Sequence, residues 1–559
     1  MLLDFIYPVM AVLPIVTIFL LLLVAKRSAT LVMPLSYGLT VAIALVVWQM
    51  PIKTVVASTI QGLFAAAEIL YIVFGAVLLL NTLQVSGAVY RIKQSLVDIS
   101  GDRRIQLILI AWLFGGFIEG ASGFGTPAVI TVPLLVAIGF PALAAVISAL
   151  IIQSTPSTFG AVGTPIMIGI NNGIGNIEQV QTYLQKLDIT SPEYLHLIGR
   201  WAGILHGAIG TFIPLILILI LTVSFGDRCT PILERFKTGL SMWRFALFAG
   251  LAFTVPYLLT AAIVGPEFPT LIGGLMGLAI VIVAIRRGWF LPSQPWDFPE
   301  SVAWEDSPDQ GRSVAVTHLS TSKSWLPYVI LGGLLVISRL NFLPLRGWLQ
   351  SVTINWENIL DTGITAATQP LYLPPTIFIC VVILSCYLHG LALKQLIPLV
   401  RQTLPLLKST AIALGSAVLM ARVFINSGLN QADLVSMPLT LASSMASVTG
   451  QSWPFFAPMV GMIGAFVAGS VTVSNLMFSL FQFGVAQKVA VDPALVLALQ
   501  CVGASAGNII CISNVVAAGA TVGLIGQEGL IIRRGMIPTL YYVGFGGCLG
   551  LLIQFMFAG

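Results

Sequence analysis

Residues 105–137 read IQLILIAWLFGGFIEGASGFGTPAVITVPLLVA. The run is apolar enough to enter a bilayer, yet glycines, the carboxyl of Glu119 and Pro127 interrupt it half-way. Backbone that leaves helical geometry at membrane depth exposes N–H and C=O groups. It is tolerated only where protein or a water-filled cavity satisfies them. The segment Glu119-Gly-Ala-Ser-Gly-Phe-Gly-Thr-Pro127 is therefore a candidate re-entrant tip. It belongs to a longer Gly/Pro-broken region, 105–170, which also holds QSTPSTFGAVGTP (153–165).

The rest of the chain agrees with a membrane setting. Of 559 residues, 57 % are apolar and 8 % charged, against about 25 % charged in an ordinary soluble chain. Apolar runs of about 20 residues, each able to cross roughly 30 Å of hydrocarbon, recur from end to end. The expected fold is an all-α polytopic membrane protein in the lipid bilayer, with about 12–14 transmembrane helices. This excludes a cytosolic enzyme, a nucleic-acid binder and a secreted disulfide scaffold. The net charge of +5 comes mostly from basic residues in short loops, where positive-inside topology puts them. The six cysteines include no CxxC pair and the four histidines are irregularly spaced, so neither a metal site nor a cofactor is expected. The N-terminal MLLDFIYPVM lacks a basic n-region, and Lys26 and Arg27 follow its apolar run. That pattern reads as an uncleaved first span.

Clear spans are expected near 6–25, 31–50, 60–83, 198–224, 243–262, 268–285, 326–340, 373–392, 409–425 and 536–557. The stretch 286–325 reads as a cytoplasmic linker. Six basic clusters fit one orientation: Lys26/Arg27, Arg91–Arg104, Arg228–Arg244, Arg286/Arg287, Lys394–Lys408 and Arg533/Arg534 inside. Both termini and the base-poor stretch 426–454 then lie outside, if each broken region crosses an odd number of times.

The chain divides into a first transmembrane repeat (1–225), connecting spans with the linker (226–325) and a second repeat (326–559). The second repeat has its own broken region, 455–530. FIEGASGFGTP (117–127), FPAL (140–143) and QSTPSTFGAVGTP (153–165) in the first half correspond to FVAGSVTVSNL (466–476), DPAL (492–495) and GASAGNIICISN (503–514) in the second. The two broken regions are entered from opposite sides, so the repeats are inverted. Paired interrupted segments of this kind are the best sequence pointer to a transporter binding site.

Gly125-Thr126-Pro127 and Gly163-Thr164-Pro165 repeat one tripeptide. Proline suits the first helical turn, and a helix that starts there presents a positive dipole end to a carboxylate. Ser122, Thr126, Ser157 and Thr164 add hydroxyls. Ser474, Asn475, Ser505, Asn508, Ser513 and Asn514 are the polar counterparts in the second half. Close packing of small residues between membrane helices also fits these stretches. Glu119 fits two roles, a proton carrier or a carboxyl that caps the hairpin mouth. Arg422 either pairs with a substrate carboxylate or snorkels to the outer interface. Glu68 reads as a packing residue, and His206 and His389 as helix–helix contacts.

At these residues the chain resembles the lactate permease family, which includes L-lactate and glycolate permeases. The matching stretches are GGFIEGASGFGTPAVIT (115–131), TFGAVGTPI (158–166), SWPFFAP (452–458), GSVTVSNLMF (469–478) and GLIGQEG (523–529). The resemblance implies a plasma-membrane symporter that takes up small monocarboxylate anions (2-hydroxy acids) together with a proton or another cation. From their chemistry, Ser122, Gly125, Thr126, Ser157, Thr164, Ser474, Asn475, Asn508 and Arg422 are the expected substrate contacts, and Glu119, which fits the family motif, is the expected proton-coupling residue. Two positions depart from the family pattern, which has an acid at Val471 and a lysine at Asn508. An acid and a base are missing together, as they would be if an ion pair had been lost. Either that pair was structural, or substrate or coupling has changed.

The leading expectation is thus a secondary transporter for lactate and glycolate that works by proton symport and alternating access. The alternatives are a transporter for a different small anion with altered coupling, and a passive anion channel. No HExxH and no nucleotide-binding loop is present, so an enzyme or an ATP-driven pump is not expected. The sequence leaves the oligomeric state open.

Overall fold

The computed structural model describes residues 2–21, 25, 27–97, 99–175, 177–299, 319–339, 344–524 and 527–557. Residues 300–318 of the expected linker 286–325, Lys26 and part of GLIGQEG fall outside these. The described chain is helical apart from one short antiparallel hairpin, Ile354–Trp356 paired with Ala366–Thr368, with Ile354 opposite Thr368. Among the described residues, eight helices are long and apolar enough to cross a membrane, and ten if two bent pairs each count as one span. Shorter apolar helices at Ile6–Phe19, Thr126–Ala137 and Pro374–His389 accompany them. This is the all-α polytopic architecture expected.

Burial sorts the helices into a centre and a periphery. Every residue from Arg104 to Ser122 is buried, and 94 % of the apolar window of Pro493–Ala520 is, against 33 % for Ala29–Val46 and 39 % for Glu528–Met556. The peripheral helices leave apolar side chains such as Leu35, Leu540 and Phe555 exposed, as lipid-facing surfaces require. The broken helices therefore sit inside protein, where irregular backbone can be satisfied.

Each broken region folds as helix, break, helix, tight loop, helix, break, helix. In the first, Arg103–Ser122 runs to a break at 123–125 and continues as Thr126–Ala137. Ala142–Ser154 is bent by 60° from Pro156–Ile174, and the latter segment itself breaks at 160–163 before it runs on into 165–174. In the second, Trp453–Ala468 breaks at Gly469–Ser470 into Val471–Lys488, and Pro493–Asn508 breaks into Ile512–Ala520. Both Gly-Thr-Pro tripeptides open a helix, as their chemistry predicts. Residues 108–115 of the first arm are π-helical, a distortion that favours functional sites.

The breaks are conformationally costly. Ala161, Val162 and Gly163 all have positive φ (43°, 57° and 74°). The left-handed region costs a non-glycine residue roughly 1–2 kcal/mol, and most for a β-branched one such as Val162. Gly163 has no alternative here, because a β-carbon would strike the carbonyl of Pro266. At Gly125 (φ 75°) a β-carbon would meet Oδ1 of Asn514 at 2.5 Å, so the first break touches the fourth.

Residues 171–181, 353–374 and 426–436 come together around two cavities of about 310 Å³ and about 1110 Å³. Away from them, Arg104 is paired with Asp102 at 2.7 Å, both side chains 3 % exposed. Asp102 also accepts from the backbone of Trp296, and Arg103 pairs with Asp297. Residues 294–298 thus strap the entry to the first broken helix.

Candidate functional site

Three of the four breaks, together with Asn508 at the fourth, enclose one small pocket. Glu119 and Gly123 line it from the first break, Ser157, Gly160 and Thr164 from the second, and Ser470 and Val471 from the third. Its volume is about 20 Å³, room for roughly one water. Glu119 is 2 % exposed and its Oε2 has no hydrogen-bond partner. Ser157 is also buried, with an unpartnered hydroxyl. Buried polar atoms are normally paired, so two orphan oxygens around one pocket mark a place for a guest. No lysine, arginine or histidine lines it.

A buried amide cluster stands behind Asn508. Gln153 Oε1 accepts from Nδ2 of Asn508 at 2.8 Å and of Asn514 at 3.0 Å. Asn514 Nδ2 also reaches Oδ1 of Asn508 at 2.9 Å. The second and fourth breaks are thereby cross-linked through neutral dipoles. Asn475 ties the third element to the second by donating to the carbonyl of Pro165 at 3.1 Å.

A profile of the L-lactate permease family matches residues 8–557. The chain belongs to the L-lactate permease family. A relative from Haemophilus influenzae is 30 % identical over 97 % of this chain and 98 % of its own. The L-lactate permease of Bacillus subtilis is 27 % identical, covering 95 % of this chain and 93 % of its own. The glycolate permease of Escherichia coli K12 is 27 % identical over 98 % and 96 %. The protein is a multi-pass membrane permease, not an enzyme.

The expected site residues of this permease do not all converge. Glu119, Ser157, Thr164 and Asn508 line the small pocket, and so does Val471. Gly125 packs on Asn514 beside it. Ser122 donates to the carbonyl of Ile118 at 2.9 Å, and Thr126 to that of Gly123, so both hydroxyls serve their own helix ends. Ser474 donates to Gly461 at 3.0 Å and accepts from Gln500 at 3.1 Å, which makes it a packing contact. Asn475 retains a buried, unpartnered Oδ1.

Arg422 is buried rather than snorkelled, at 5 % exposure. It lies on Leu396–Asn426 and donates to the carbonyl of Asn172 at 2.6 Å and to Asn172 Oδ1 at 2.7 Å. Thr164 lines both the small pocket and the 310 Å³ cavity, so the two spaces share a wall. His206 is held between Thr158 and Tyr542 and is a satisfied contact, as expected.

Sequence reasoning passed over Gln153 and Asn172. Gln153 was legible as an amide inside an apolar run. The role of Asn172 depends on a helix 250 residues away and has no local signal. Among the described residues no group of three or more His, Cys, Asp or Glu is placed to hold a metal ion.

Proposed function

We propose that this permease takes up small 2-hydroxymonocarboxylates, lactate and glycolate, with a proton across the plasma membrane. The observation that carries the reading is the unpartnered carboxyl of Glu119 at the junction of the breaks, in a pocket without a basic side chain. Two negative charges about 4 Å apart repel by about 4 kcal/mol at an effective dielectric of about 20. A substrate carboxylate therefore shares this pocket only with protonated Glu119. The neutral acid donates a hydrogen bond, and Ser157 and Asn508 supply further polar contacts. Proton and anion thus enter together, the proton leaves Glu119 on the inside, and the empty carrier returns with Glu119 ionised.

The names of the relatives support the substrate class. The matching order of breaks in 105–170 and 455–530 supports two inverted repeats. A pocket of about 20 Å³ is too small for lactate, so its walls must part to admit substrate. Open cavities on one side and the Asp102–Arg104 strap on the other fit alternating access in an outward-facing arrangement. The test is uptake of labelled lactate and glycolate into proteoliposomes with an inward proton gradient. Accumulation that a protonophore collapses supports the reading. Equilibration without accumulation contradicts proton symport, and no uptake of either acid contradicts the substrate class.

A further inference from the structure

Glu68 lies outside the Glu119 pocket, on the long helix Ile52–Val85, and lines the 310 Å³ cavity. The hydroxyl of Thr368 and the side chain of Asn172 are set against its carboxyl, and the positive charge of Arg422 acts on it. Asn172 is held from its other side by the two donors of Arg422. The two charges therefore meet through Asn172, which belongs to the helical segment leading out of the strained 160–163 break. The elements around Glu68 contribute few other titratable groups. Glu267 and Tyr372 line the same cavity, the arm 165–174 contributes only the neutral Asn171 and Asn172, and the hairpin contributes Thr368.

We propose that Glu68 is a second proton-binding residue of the permease, a positioning residue that holds or releases the broken helix through Asn172. The proposal rests on the proton-symport reading and deepens it. Ionised Glu68 makes a charge-assisted contact with the Asn172 amide, and such contacts are roughly twice as strong as neutral ones. With Arg422 on the other side, Asn172 is then clamped between Ile52–Val85 and Leu396–Asn426. A proton arriving through the cavity neutralises Glu68, weakens one half of the clamp and frees the arm whose other end, Thr164, walls the Glu119 pocket. The outer cavity thereby senses external pH before the inner carboxyl is loaded.

The experiment measures the initial rate of labelled lactate uptake into proteoliposomes at external pH from about 5.5 to about 8.5, a range that spans raised carboxylate titrations. Wild type, Glu68→Gln, Glu68→Asp and Asn172→Ala are compared as monodisperse full-length protein. The wild-type rate should climb as external pH falls. Glu68→Gln and Asn172→Ala should lose up to about tenfold of that change per pH unit, one proton's worth, while Glu68→Asp keeps it. A Glu68→Gln curve lowered by one constant factor at every pH, with the wild-type slope, would show a merely structural residue and overturn the proposal. Should Glu68→Gln not fold, Asn172→Ala carries the same comparison. A wild type whose uptake ignores external pH would instead remove the symport reading on which the proposal stands.

Discussion

A β-carbon at Gly160 would lie 2.7 Å from Oε1 of Glu119. The second break thus leaves room for the carboxyl of the first by omitting a side chain. Gly160 itself has extended backbone angles (φ −65°, ψ 156°), which alanine also adopts, so Gly160→Ala tests the contact without a backbone penalty. The variant should fold normally and transport about tenfold or more slowly, because small misplacements of a reacting group have large rate effects. Uptake kinetics on purified protein decide it.

Val471 and Asn508 line the same pocket as Glu119. Val471→Asp puts a second acid beside Glu119 and should abolish uptake. Asn508→Lys places an unpaired charge there and removes a donor from Gln153. The double variant should recover stability relative to the sum of the singles, with a coupling of about 0.5–3 kcal/mol as expected of neighbours. Thermal unfolding of the four proteins in detergent measures it, and strict additivity would show that the two positions do not communicate.

Gln153→Leu leaves the side-chain amide of Asn508 without its acceptor, while Asn514 keeps Oδ1 of Asn508. An unsatisfied buried donor costs about 1–3 kcal/mol, so a clear fall in unfolding temperature is expected. An unchanged unfolding temperature would mean that the amide cluster is not what holds the second and fourth breaks together.

Asp102→Ala strands Arg104, which is 3 % exposed. Breaking one partner of a buried pair costs about 3–5 kcal/mol. The expected result is a large loss of folded protein, while the folded fraction transports with an unchanged KM, because this pair lies away from the Glu119 pocket.

The spans were legible because a bilayer imposes length and apolarity on every helix that crosses it. The breaks were legible because glycine, proline and Glu119 interrupt otherwise uniform runs. Both Gly-Thr-Pro tripeptides opened helices where expected. The partners across the breaks were not legible. Ser474 and Ser157 look alike in sequence, yet one is spent on Gly461 and Gln500 and the other stands unpartnered at the pocket. Which hydroxyl is free depends on packing between distant segments, and one chain carries no record of that. The hairpin 354–368 and the π-helical stretch 108–115 likewise arise from tertiary contacts rather than local pattern.

The most direct test of the central claim compares wild type with Glu119→Gln in proteoliposomes, by lactate counterflow at equal pH and by accumulation under an inward proton gradient. Glutamine keeps the size of protonated Glu119 and a hydrogen-bond donor but cannot release a proton. Counterflow should persist while gradient-driven accumulation disappears. Accumulation by Glu119→Gln at the wild-type level would show that the coupling proton is carried elsewhere and would contradict the account.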